Sequence, residues 1–430
     1  MKTFKTICTL ALALGATAVA QAQNEVYITG STAFRGQIFN ALTDMGLAQQ
    51  GANNGGKNSF TCSGTVNPTV ALLITELNND AAGLIGTSVD VYCTFSGSAE
   101  GVDALIHPVS ASYIPVGGSG TFSHTGDDFA FSDVWQAVTP DPTPTLEEIV
   151  SVYDSTNSPG SGIAVQPFTF IENSNAAALG ISNITCFAFE TLFGNGTLGA
   201  NFLGGGTNTN NVIAVGRYPL SGTRITAVLD DNPYTALPSQ TLKQWALSTN
   251  ASGTGTSNWP GLASTDSSAP PTSGATWVSV AAPIGGYANG DGYFSGGNVG
   301  LAIEASSTMG LGAAIAYISW SDASKLTGYG GEGPISWDGV NPWTGGAYPN
   351  ANGTNYWNTT ALVDGDYQFW GYEHLYVNHS DDNTWYDTTF GPGLVDAIQY
   401  ELTNTVKRVA VLEKEMQVYR NADGGPVGPK

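Results

Sequence analysis

Three times along the chain an apolar run breaks at a glycine-serine turn and resumes as a helix: "ITGSTAF" at 28–34, "FSGSAEG" at 95–101 and "RYPLSGT" at 217–223. Each turn sets the free N–H groups of a helix start and one or more hydroxyls beside a glycine, which lets a backbone or a ligand approach closely. Strands alternating with helices in this way predict an α/β architecture. The chain holds only 13 lysines and arginines, so Arg217, four positions ahead of Ser221, is a rare cation at a place suited to an anion.

The flanking segments fill in the pattern. Residues 25–30 read as a strand, followed by Phe34, Ile38, Leu42 and Met45 at helical spacing, with Ser31 and Thr32 as N-caps. Residues 69–77 predict a second helix, 90–98 a strand, and 99–108 a short helix ended by Pro108. A short apolar run closes on Asp133, and "TPDPTPTLEEIV" (139–150) reads as a stiff linker entering a helix at Leu146. Residues 162–173 and 367–378 predict strands, and 392–402 a helix. Low-complexity stretches at 248–276 and 326–361 read as surface insertions, and 421–430 as a disordered tail.

Bulk properties narrow the function classes. A chain of 430 residues is long enough for two or three domains. Residues 1–22, with Lys2, Lys5, an apolar run and Ala20-Gln21-Ala22, read as a cleaved export signal, which puts the mature start near Gln23. Cys8 lies inside the apolar run, so it is not the lipidated cysteine of a lipoprotein. No later segment reaches the ~18 uninterrupted apolar residues of a spanning helix. The expected location is the periplasm or outside the cell. Export permits a disulfide, with Cys62 and Cys93 as the expected pair and Cys186 left over. A net charge of −22 argues against nucleic-acid binding.

Catalytic and metal constellations are weak. "GSAEG" does not form the Gly-x-Ser-x-Gly elbow of a serine hydrolase. His107, His124, His374 and His379 show neither triad nor metal spacing, there is no Cys-x-x-Cys, and "HSDDNTWYD" and "NGDGY" do not follow a calcium loop. The expectation is a binding protein that is not an enzyme and that uses no cofactor or metal.

Taken in order, "ITGSTAFRGQIFNAL", "GSAEGVDAL", "DFAFSD", "RYPLSGT" and "GAAIAYISWSDA" resemble the successive signatures of the phosphate-binding proteins of ABC-type phosphate import. The resemblance runs from about residue 26 to residue 402. It implies a two-lobed periplasmic-binding-protein (Venus-flytrap) α/β fold with two crossover strands, here "AVQPFTFIEN" and "FWGYEHLYVN". Lobe 1 would be discontinuous, residues 23–167 plus 371–430, with residues 168–370 forming lobe 2. It further implies a monomer that captures inorganic phosphate and delivers it to an ABC permease.

Carried over residue by residue, the resemblance gives Phe34 a backbone N–H donor role, Ser98 a hydroxyl donor role and Asp133 the role of single acceptor. Arg217, Ser221, Gly222 and Thr223 take the donor roles of the second lobe, with Thr32 and Ala33 as additional positions. Two positions depart from the family pattern: Ala33 stands where a hydroxyl residue is usual, and Pro219 where an acid is common. A carboxylate in an anion site fits a ligand that brings a proton, as phosphate does and sulfate does not. The aromatic residues among Gly and Asn at 336–358 carry a second reading, a secreted adhesive or carbohydrate-contacting module that keeps the flytrap fold with a vestigial anion site.

Overall fold

The computed structural model describes residues 24–52, 58–118, 120–143, 146–149, 162–231, 242–249, 271, 273–280, 292–326, 333–345, 357–377, 384–404, 409–421 and 423–430. The expected export signal and most of the stretch 248–276 lie outside these residues. In the first half, strands β1 (Asn24–Gly30), β2 (Ala48–Ala52), β3 (Ser59–Thr65) and β4 (Ser88–Thr94) alternate with helices α1 (Arg35–Asp44), α2 (Ala71–Asp80) and α3 (Ser98–Ile106). A separate hairpin, β5 (Ser110–Tyr113) with β6 (Phe122–Thr125), precedes β7 (Phe129–Ser132). β1 lies parallel between β4 and β7, and β3 and β2 continue antiparallel to the edge.

After the two-residue strand β8 (Glu147–Glu148) comes β9 (Ala164–Glu172) and then the second half. This half begins with α4 (Ser174–Ala177), β10 (Asn183–Ile184), α5 (Cys186–Asn195), β11 (Thr197–Gly199), β12 (Asn211–Val215) and α6 (Gly222–Asp231). It continues through the hairpin β13 (Trp245–Ser248) with β14 (Thr276–Ser279), then α7 (Gly296–Thr308), β15 (Ala314–Ser319), α8 (Trp320–Ala323), β16 (Pro334–Trp337) and α9 (Thr359–Val363). Strand β17 (Trp370–Val377) returns to the first half, where α10 (Gly391–Asn404) packs on α1 and α2.

The strands join into one mixed sheet ordered β11-β12-β15-β9-β17-β7-β1-β4-β3-β2. β9 and β17 pair antiparallel at its centre, and each also pairs into its own half, β9 with β15 and β17 with β7. These are the two crossovers expected from the sequence. Every residue of both is buried, yet they carry Gln166, Thr169, Glu172, Glu373 and His374. Strands covered on both faces are ordinarily near-continuous apolar runs, so this polar content calls for a local reason.

The apolar core splits into two main clusters, one on each side of the crossover pair. The first includes Val26, Phe34, Ile38, Leu42, Met45, Leu73 and Leu394. The helical spacing read from 34 to 45 therefore marks a buried face. The second centres on Phe170, Phe189, Tyr317, Trp320, Trp337 and Phe369. Much of the aromatic stretch near 336–358 belongs to this core. Trp357 stacks on Trp320 with ring centroids 4.6 Å apart, and Trp337 stacks on Phe170 at 5.2 Å. The molecule is an α/β protein of two lobes.

Three expectations are corrected. Leu146 does not start a helix: after Glu373 the strand β9 leaves one edge of β17, and Glu147–Glu148 take that edge as β8. Cys62 and Cys93 are free thiols on neighbouring strands, out of register because Cys62 faces Val91 and Cys93 faces Phe60. Burial pushes the Cys62 thiol up to about 12, which makes it an inert core group. The segment 421–430 is no loose tail. Its strand β19 (Gly428–Pro429) pairs with β18 (Val418–Tyr419), and Asp423 is buried.

That C-terminal strap is fastened by charge. The Arg420 guanidinium donates to Asp230 of α6 and to the Gln368 carbonyl, and lies 4.3 Å over the Trp370 ring. Asp423 Oδ2 accepts the Trp135 N–H at 2.6 Å.

Candidate anion site

The site is assembled from the three turns. In the first, Gly30 has φ +108°, and a Cβ there would fall 2.0 Å from the Phe131 carbonyl oxygen, so only glycine lets β1 end this close to β7. Ser31 follows, and its Oγ accepts the N–H groups of Ala33 and Phe34 at 3.2 Å each and donates to Asp133 Oδ1 at 2.5 Å. The expected cap is thereby corrected: α1 begins at Arg35 with Phe34 as its N-cap, and Ser31 binds amides one turn earlier. Thr32 Oγ1 instead accepts from Arg217 Nη2 at 3.0 Å, across the two lobes.

In the second turn Ser98 opens α3 and its Oγ accepts the Asp133 N–H at 3.2 Å. The third turn places Arg217 at the end of β12. Its guanidinium donates to the carbonyls of Tyr293 at 3.3 Å and Phe294 at 2.9 Å and to Thr223 Oγ1 at 3.4 Å. Ser221 caps α6, its Oγ accepting the Arg224 N–H at 3.4 Å. Gly222 brings the walls into contact: a Cβ there would lie 2.3 Å from Ser98 Oγ and 2.8 Å from Asp133 Oδ2.

All nine residues singled out from the sequence are therefore brought to one place. Thr32, Ala33, Phe34, Ser98, Asp133, Arg217, Ser221 and Thr223 are each at most 2% exposed, and Gly222 is buried with them. The lobes are closed on one another there. The Ala99 N–H donates to the Leu220 carbonyl at 3.1 Å, and Tyr218 Oη lies 2.7 Å from Glu100 Oε2.

Four charged groups beside these were not picked out from sequence. Arg35 donates to the Thr32 carbonyl and, at 3.0 Å, to Asp322 Oδ1 of α8. Arg224, 3% exposed, donates to the Arg217 carbonyl at 3.0 Å. Asp322 offsets Arg217 electrostatically. The sequence signal for the arginines was their scarcity, since each directly follows a residue already assigned, Phe34 or Thr223. Glu373 had no signal short of its strand neighbours.

Burial pulls the Arg217 guanidinium below its usual range, while the charges of Tyr218, Asp322 and Asp133 partly restore it. A guanidinium stays protonated regardless, so the site carries a fixed positive charge. For Asp322 burial alone would raise the carboxyl, but Arg35, then Lys325 and Arg217, override it and hold it below the usual carboxylate range. The arrangement gathers a desolvated guanidinium, hydroxyls and the Asp133 carboxylate at two helix starts. Those groups suit a small oxyanion that carries a proton.

Two other features are separate from this cluster. A cavity of about 300 Å³ opens between α1, α8 and α10, lined among others by Gln37, Asn40, Ser321, Lys325 and Glu401. It lies beside α1 and contains none of the nine residues. Asp103, His107 and Asp141 come together beyond the far end of α3 and could hold a metal ion. Their spacing in sequence hid this, because Asp141 comes from a different segment.

The sequence matches no protein-family model and no curated protein. Among solved structures, the chain is similar to a putative phosphate ABC transporter substrate-binding protein with bound phosphate from Clostridium perfringens, at 12% identity and TM-score 0.45, covering 90% of this chain and 99% of that one. It is similar also to an ABC-type phosphate transport receptor from Vibrio cholerae, at 12% identity and TM-score 0.42, with coverage of 90% and 99%. A possible phosphate binding protein from Planctomyces limnophilus follows at 8% identity and TM-score 0.36, with coverage of 91% and 95%.

Proposed function

We propose that the protein is an exported, non-catalytic solute-binding protein that captures inorganic phosphate, or a similar protonated oxyanion, between its lobes. In this reading lobe 1 comprises residues 23–167 and 371–430 and lobe 2 residues 168–370. A signal at 1–22 directs export, and the monomer hands its ligand to an ABC permease. The observation that carries the reading is Arg217, which is 1% exposed and reaches from the second lobe to Thr32 of the first, with Asp133 and Ser98 in the same cluster. Such a buried guanidinium needs an anion or a set of oxygen acceptors, and its acceptors here come from both walls. The buried packing of Trp337 and Trp357 weighs against the adhesive reading of the aromatic stretch.

Calorimetric titration with phosphate, after co-purified ligand has been removed by unfolding and refolding, tests the proposal. Tight binding by the parent is expected. Arg217→Ala should lose at least tenfold in affinity, since a charge-assisted hydrogen bond contributes about 1.5 to 3 kcal/mol. A parent that neither binds phosphate nor gains thermal stability from it would overturn the assignment.

A further inference from the structure

Directly behind Asp133 the second crossover strand carries another carboxyl that the anion site does not by itself require. Glu373 is fully buried, with 0% exposure, and Asp133 is 2% exposed. The register of β17 on β7 pairs His374 with Ser132, so Glu373 stands opposite Asp133 on the same face of the sheet. Gly371 lies two residues back on that face. A Cβ there would fall 2.5 Å from the Asp133 carbonyl oxygen and 3.4 Å from Thr226 Oγ1 of α6, the helix whose start forms the second wall. Neither oxygen of Glu373 meets a hydrogen-bond donor among the described residues. His374 points to the other face, where its Nδ1 lies 2.5 Å from Glu148 Oε1.

Two carboxylates cannot both stay ionised at such range in a dry interior. On the phosphate reading above, we propose that Glu373 holds a proton and donates it to Asp133, so that the pair acts as one singly charged acceptor and fixes the preference for a protonated oxyanion. Burial, with the Asp133 charge next, holds the Glu373 carboxyl well above the usual carboxylate range. The charged and titratable groups around the pair are few. Arg217 reaches the Asp133 charge from the second lobe, the Tyr376 phenol feels Glu373 along its own strand, β9 presents uncharged Ala164 and Gln166, and α6 presents Thr226.

The chemistry follows from counting donors. Asp133 Oδ1 already accepts from Ser31, Oδ2 faces Gly222 and the opposing wall, and a proton from Glu373 stabilises the remaining charge. Asp133 then presents an acceptor matched to a ligand proton and set against the lone pairs of sulfate. Without the donor behind it, the Asp133 carboxylate loses one of the groups that hold and orient it as an acceptor, and its discrimination against sulfate weakens.

The test compares phosphate and sulfate binding by the parent, Glu373→Gln and Glu373→Leu at neutral pH and fixed ionic strength. Glutamine keeps a donor and should keep the parent's preference. Leucine removes the donor and should shrink the ratio of phosphate to sulfate affinity by at least tenfold. An infrared difference spectrum, parent minus Glu373→Gln at neutral pH, gives a second readout that does not depend on the leucine variant folding: a protonated carboxyl band owed to Glu373 alone, over the bands of the other buried acids that both proteins share. The inference is overturned if that band is absent, or if folded leucine and glutamine variants share the parent's ratio. A parent that binds no phosphate sinks the capture reading instead, and the infrared band then decides the shared proton alone.

Discussion

At the scale of single residues the closed contact between the lobes is set by what is missing from Gly222. Any side chain there meets Ser98, whose Oγ would lie 2.3 Å from the new Cβ. Overpacking of this kind costs about 1 to 3 kcal/mol, and on the capture reading, in which the empty protein rests with its lobes apart, it falls on the closed form alone. Gly222→Ala should therefore weaken phosphate binding by about tenfold or more while leaving the melting temperature of ligand-free protein nearly unchanged. Small-angle scattering should show that phosphate no longer compacts the variant. A second residue-scale outcome concerns Asp133. Replacing it with asparagine lets an amide turn its NH₂ toward sulfate, so the gap between phosphate and sulfate affinity should narrow; competition titration at constant pH measures it. An unchanged gap would remove Asp133 from the site.

At the scale of elements, the short helix α8 matters through one side chain. Asp322 is 1% exposed and pairs with Arg35, which opens α1 in the other lobe; Lys325 also approaches it, at 3.6 Å, but is 53% exposed. Removing one partner of a buried pair strands the other, so Asp322→Ala should cost about 3 kcal/mol or more in urea unfolding. Lys325→Ala should change stability by less than about 1 kcal/mol, because solvent already screens its charge. Equal effects from the two would show that the buried pair is not the dominant interaction.

The same elements show what was legible in the sequence. The strand-turn-helix units could be read because hydrophobic period and glycine turns are local signals, while the crossovers and the nine residues that lie together in the fold came through the resemblance carried by the order of the motifs. Asp322 was quoted in a motif without a role, since its partner Arg35 lies 287 positions away in the chain. β8 was misread as a helix because the edge of β17 that recruits it is created by strand order, which no local pattern encodes. The loose tail expected at 421–430 failed for a related reason: Gly and Pro suggest looseness, while Asp423, and Arg420 just before it, hold the segment through partners far off in sequence.

At the scale of the whole molecule, stability should respond to pH in an unusual direction for its upper range. Burial first of all pushes the carboxyls of Asp127, Asp230, Asp396 and Glu401 up to about 7 and that of Asp423 to about 6. Each binds its proton more tightly folded than unfolded, so its contribution is complete below the ordinary carboxylate values and is lost as pH rises through about 6 to 7. The melting temperature should accordingly rise as pH is lowered from about 8 to about 5. Asp322 works the other way, but only at more acid pH, because its carboxyl is held low. A melting temperature that falls steadily from pH 8 to 5 would contradict the placement of these buried acids.

The C-terminal strap has a mechanical consequence. Arg420 is tied to Asp230 at the end of α6 and Asp423 to the backbone of Trp135, one attachment on each side of the crossover pair. On the capture reading, in which the two lobes part and close again, a segment moored to both works as a leash: it leaves the closed position alone and sets how far the jaws can swing. The resting gape then belongs to the last stretch of chain as much as to the two strands that link the lobes. Cutting away residues 417–430 should let ligand-free protein sag wider, with a larger radius of gyration in solution. It should also bind phosphate more weakly, because each capture begins from a longer throw.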